Sequence, residues 1–141
     1  MNIVLDSGAI LASENNDPTL AAILKGARKS RTPIVVPATV VAETWRGPST
    51  HAGAAHLLGS VDAFPELTEQ SARRVGALLA LSKTAAIVDA NVVAIAIALR
   101  PATIVTSDVN DIAHLLASAK ISHALSDTRG STSADVVIVR V

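Results

Sequence analysis

Residues 2–6 read Asn2-Ile3-Val4-Leu5-Asp6, an uncharged, mostly aliphatic run closed by an acid. A strand with one wet face alternates apolar and polar side chains, so an unbroken run predicts a strand covered on both faces. Residues 103–108, Thr103-Ile104-Val105-Thr106-Ser107-Asp108, repeat the arrangement: an apolar run, then a carboxylate. If these two runs are neighbouring strands their ends lie roughly 5 Å apart, and Asp6 faces Asp108. Carboxylates 4 Å apart repel by about 4 kcal/mol per pair at an effective dielectric of 20. Such a pair needs a cation or protons.

Outward from these runs, short β-rich stretches alternate with longer helical ones. Asp17-Pro18 supplies an N-cap followed by proline in the first turn. The helix predicted over 19–29 places Leu20, Ile23, Leu24 and Ala27 on one face and ends on Arg28 and Lys29, charges that suit a helix C-terminus. Residues 34–36 read as a second strand and 39–45 as a short helix. A turn follows at 46–50, then a helix over 51–59 and an edge strand over 61–64. Thr68 caps a helix to about Ser82 that buries Val75, Leu78, Leu79 and Leu81, and another helix starts at Asp89. Residues 103–106 form the next strand, 108–118 a helix, 126–134 a loop and 136–141 a terminal strand. This alternation predicts one domain over 1–141, an α/β/α sandwich around a mostly parallel sheet of four or five strands. Ligands of such sheets bind beyond the carboxyl ends of the strands, where the winding reverses. Here the reversal falls between the strands carrying Asp6 and Asp108.

The composition narrows the function. A chain of 141 residues, half of them apolar, builds a core without staples, and the lack of cysteine excludes disulfides and thiolate metal sites. This fits a cytoplasmic location. The first residues do not read as a signal peptide, and the most apolar window, 92–99, is far too short for a membrane span. Twelve basic and twelve acidic side chains cancel, so net charge does not draw the chain to nucleic acid. Any such contact uses a local patch, a dimer surface or a metal. Trp45 and Phe64 alone are aromatic, which argues against a base-stacking platform.

Two further acids belong with Asp6 and Asp108: Glu43 in the short second helix and Asp89 at the start of the apolar stretch 90–99. Each has a bland explanation. Asp6 and Asp89 can cap helices, Asp108 and Asp111 can form a capping box, and Glu43 can pair with Arg46 in solvent. Capping does not explain why acids should gather on one edge of a sheet. It is also compatible with metal binding. An all-oxygen set suits Mg²⁺ or Mn²⁺ rather than zinc. His51 and His56 fall on different sides of a helix, and His114 and His123 are isolated, so all four read as surface or interface residues. No glycine-rich phosphate loop or dinucleotide fingerprint is present, Gly8 standing alone after Asp6.

In this order, Asp6-Ser7, Val40-Val41-Ala42-Glu43 with Arg46-Gly47, Leu67-Thr68 to Leu79 with Val88-Asp89-Ala90, Ala94 and Ala96, and Thr106-Ser107-Asp108 with Asp111 resemble the PIN-domain ribonucleases. The likeness is specifically to VapC-type toxins of bacterial toxin–antitoxin pairs, and it covers nearly the whole chain. It implies a Mg²⁺- or Mn²⁺-dependent endoribonuclease, usually a homodimer, whose RNA substrate is guarded by a cognate antitoxin. The catalytic set it implies is Asp6, Glu43, Asp89 and Asp108. Asp6, Asp89 and Asp108 hold metal, Glu43 approaches through a water, Asp111 is a fifth member and Thr106 orients an acid or a water. Either Glu43 or Asp108 takes the proton of the attacking water. Arg46 is the basic residue expected nearest the cleft. Arg73, Arg74, Lys83 and Arg129 read as solvated or loop residues. The competing readings are a PIN-like scaffold that binds without cutting, and a receiver- or phosphatase-like domain. The last lacks its second acid, because Gly8 stands two residues after Asp6.

Overall fold

The computed structural model describes residues 1–47, 52–126 and 136–141, the side chains of 121–126 excepted. Its elements run β1 (Asn2–Leu5), α1 (Ser7–Glu14), α2 (Pro18–Ser30), β2 (Ile34–Val35), α3 (Ala38–Thr44), α4 (Ala52–Leu58), α5 (Glu69–Ser82), α6 (Ile87–Ala98), β3 (Ala102–Thr106), α7 (Val109–Ser126) and β4 (Val136–Arg140). The strands form one four-stranded, all-parallel sheet in the order β2-β1-β3-β4. The chain winds one way from β1 to β2 and the other way from β3 to β4. Right-handed crossovers in opposite directions put their helices on opposite faces, which gives the α/β/α sandwich. The reversal lies between β1 and β3, as the sequence predicts.

Val4, Leu5, Ile104 and Val105 are wholly buried, as expected of strands covered on both sides. α6 packs on β1 and β3 and also meets α3, α5 and α7. Its Ala90, Val92, Val93 and Ala96 are sealed from solvent, which explains why residues 90–99 are apolar nearly all round. Among the described residues no single helix is long and apolar enough to cross a membrane.

Several expectations need correction. The edge strand over 61–64 is reduced to one bridge, Val35 to Ala63. The Asp62 carboxylate accepts the Ile34 N–H at 2.7 Å, displacing a ladder bond, and Pro65 has no N–H to extend the pairing. α6 starts at Ile87, so Asp89 sits in its first turn instead of capping it; Ala86 holds the cap position and makes no side-chain bond. α5 begins with a Thr68–Ser71 capping box, but it buries Val75, Leu78 and Ser82. Leu81 lies off that stripe and is 51% exposed. α7 continues to Ser126 rather than stopping at 118, and the Ser118 hydroxyl turns back within it to donate to the His114 carbonyl at 2.9 Å. That His114 ring reaches the Ser82 carbonyl at 2.8 Å, a structural tie between α7 and α5. Residues 48–50 of the expected turn, His51, and the loop after Ser126 with Arg129 lie outside the described residues, as does the His123 side chain.

Candidate active site at the carboxyl edge of the sheet

β1 and β3 pair from Asn2–Ala102 to Leu5–Val105, and the Asp6 N–H continues the ladder onto the Val105 carbonyl at 3.0 Å. Asp6 therefore stands beside Thr106. It does two jobs at once. One carboxylate oxygen accepts the Ser7 N–H at the start of α1, and the other accepts the Thr106 hydroxyl, each at 2.7 Å. The same Thr106 oxygen accepts the Asp108 N–H at 3.0 Å. Thr106 is wholly buried and Asp6 is 3% exposed. One hydroxyl thus fixes both the first acid and the backbone that presents the last.

The remaining acids arrive on helices. Glu43, near the end of α3, accepts the Ser7 hydroxyl. The sequence offered Arg46 as its partner. In the structure the Arg46 guanidinium instead donates to the Ala42 and Trp45 carbonyls at 3.3 and 2.7 Å, closing the end of α3. A helix C-terminus attracts a cation, and the last carbonyls take it. Asp108 and Asp111 make no capping-box bond to one another among the described residues and are exposed, as is Glu43.

Burial and mutual repulsion act on the two inner acids. Burial raises the Asp6 carboxyl above its usual range, the bonds from Thr106 and Ser7 oppose this, and the charges of Glu43 and Asp108 add to it. Asp89 is pushed up to about 6, first by burial and then by the charges of Asp6, Glu43, Asp108 and Asp111. All five acids named from the sequence therefore share one electrostatic neighbourhood. Capping alone does not produce that.

The donor set fits a hard divalent cation in chemistry: it is all oxygen, anionic and partly buried. Among the described residues, however, no three acids lie close enough to hold one ion between them. Mg²⁺ does not require that, since it keeps several waters and binds through one or two carboxylates.

Some contributors carry weak sequence signals. Asn91, the one polar residue in the apolar run of α6, is 1% exposed and donates to the Thr39 hydroxyl oxygen at 2.7 Å. It ties α6, two residues after Asp89, to α3, one turn before Glu43. Gly8 lies where α1 meets the end of β3. A Cβ there would stand 2.6 Å from the Ser107 amide nitrogen and 2.1 Å from its Oγ. Because backbone is in the way, Gly8→Ala must push α1 from the Thr106–Asp108 turn, at a cost of about 1–3 kcal/mol. Thermal unfolding should register that loss, and an unchanged melting temperature would show that the turn yields freely.

No protein-family model matches the chain, and no curated protein matches it in sequence. A solved structure does match in shape. One chain of VapBC2 from Rickettsia felis, crystallised bound to a DNA fragment from their promoter, superposes with a TM-score of 0.59 over 99% of this chain and 98% of that one. The fold is PIN-like. At 12% identity the likeness is one of architecture. It extends from end to end, so the carboxyl edge that carries the acids belongs to the shared sheet.

Proposed function

We propose that this chain is a Mg²⁺- or Mn²⁺-dependent endoribonuclease, the toxin of a toxin–antitoxin pair. The observation that carries this reading is the clustering of Asp6, Glu43, Asp89, Asp108 and Asp111 at the switch point. The charges of the other four add to burial in pushing Asp89 up to about 6. The likeness in fold to a chain of VapBC2 supports the class and makes a cognate antitoxin the expected partner. A homodimer is the assembly that family reading implies, and the cysteine-free composition fits a cytoplasmic location.

A bound divalent ion would lower the pKa of a water and polarise a phosphodiester. The chain's own groups prepare for it. The Thr106 hydroxyl donates to one Asp6 oxygen and so orients the carboxylate. Ser7 does the same for Glu43 from the first turn of α1. Asp89, pushed up to about 6, sits where a bound cation would favour its ionised form. Glu43 and Asp108, both exposed, are the candidates to take the proton of an attacking water.

A PIN-like scaffold that binds without cutting is the second reading, favoured because, among the described residues, no three acids surround one point. Cleavage separates the two. The purified chain, freed of partner, should cut single-stranded RNA with Mn²⁺, lose this activity in EDTA, and recover it on adding metal. Absence of cleavage with either metal would favour the binding scaffold.

A further inference from the structure

The β3–β4 register brings a charge to the site that the sequence does not advertise. Thr106 pairs with Arg140, and Asp6 flanks Thr106 on the other side. Asp6, Thr106 and Arg140 therefore stand in one row across three strands, at steps of roughly 5 Å. Register partners project to the same face of a sheet, so Arg140 shares a face with Thr106. Its guanidinium donates to the carbonyl of Ser107, between Thr106 and Asp108, at 3.4 Å, and the side chain is exposed.

Two of the other basic residues named from the sequence are bonded elsewhere. Arg46 closes α3, and Arg73 pairs with Glu69 in the one ion pair among the described residues. Arg74 lines an apolar recess between α5, α6 and α7. The acid cluster repels a polyanion, and the chain has no net positive charge to offset this. A guanidinium one strand away from Thr106 supplies a local anchor, and its planar fork matches a phosphate's oxygens.

We infer that Arg140 binds a non-scissile phosphate of the RNA strand, beside the acids that receive the scissile one. The inference rests on the nuclease reading of the site, and its test separates the two. Steady-state cleavage with Mn²⁺ is measured for wild type, Arg140→Gln and Arg140→Lys. Binding of the same RNA oligonucleotide is followed by anisotropy for all three, in an Asp89→Asn background and as unmutated parent, between about 50 and 200 mM salt.

Arg140→Gln should weaken RNA binding about tenfold, with the loss falling on KM rather than kcat. The slope of log affinity against log salt should shrink by about 0.7, the value for one single-strand phosphate contact. Arg140→Lys should keep the slope and lose part of the affinity, because it keeps the charge without the fork. A merely structural Arg140 would leave the slope unmoved. Cleavage by wild type with identical KM and slope in Arg140→Gln overturns the inference and leaves the nuclease reading standing. RNA binding that depends on Arg140 without cleavage does the reverse. If wild type neither binds nor cuts RNA, both fall.

Discussion

Asp89→Asn is expected to abolish RNA cleavage, by about a thousandfold or more, while making the metal-free protein more stable at neutral pH. Three orders of magnitude correspond to about 4 kcal/mol of transition-state stabilisation, the scale on which a metal site acts. The stability gain follows from linkage. The folded-state pKa of Asp89 is about 6 against an ordinary 3.8. Between those values the folded chain holds more protons than the unfolded one, so Asp89 makes stability fall as pH rises from about 4 through about 6. Above that range the ionised carboxylate sits half-buried among Asp6, Glu43, Asp108 and Asp111, and the neutral amide escapes that repulsion. Melting temperatures of the apo protein should therefore decline across this window in the wild type and decline less in Asp89→Asn. The variant should lie higher by a few degrees at pH 7.5. Protons and metal compete for the same carboxylate, so Mn²⁺ affinity of the wild type should drop below about pH 6. A variant that cuts RNA normally, or melts below the wild type at pH 7.5, would contradict this account.

Thr106→Val should cost about 1–3 kcal/mol of stability and a large share of activity without changing the shape of the core. Valine fills nearly the same volume, but the lost hydroxyl leaves one Asp6 oxygen and the Asp108 N–H without their partners. The bond from Thr106 is the largest influence opposing burial at Asp6. Removing it raises that carboxyl further, so Asp6 keeps its proton to a higher pH than in the wild type. Cleavage should fall roughly 10- to 100-fold near pH 7, the scale of lost acid–base and positioning contributions, and recover in part at higher pH. The acid limb of the rate profile should move to the alkaline side. Thr106→Ser keeps the hydroxyl and should leave the limb in place. Equal profiles for Thr106→Val and wild type would remove Thr106 from the site's machinery.

The two kinds of partner that Asp6 takes show where sequence reading succeeds and where it stops. An Asp that follows a buried strand and precedes a helix is legible from three neighbours, and its N-cap bond to Ser7 is what that order predicts. Thr106 was also within reach, because it closes an apolar run two residues before an acid. The Asp6–Thr106 bond itself joins residues one hundred positions apart and depends on β1 pairing with β3. Arg46 and Arg140 make the contrast from the cationic side. Proximity in sequence put Arg46 beside Glu43, yet helix carbonyls claim it. Nothing near Arg140 in the chain suggested the site, yet strand register puts it there.

By itself the sequence determined the alternating elements, the doubly covered strands, the point of reversed winding and the acids at its edge. These follow from side-chain periodicity and from turn and cap residues, which act over a few positions. Only the tertiary structure decided that Asp89 enters within the first turn of α6, that Ser7 holds Glu43, that Asn91 ties α6 to α3, and that Gly8 must lack a side chain. Those outcomes are set by sheet register and by helices packing across the sandwich. Their partners are separated by tens of residues, and contact distances of about 3 Å choose among arrangements that local patterning leaves equal.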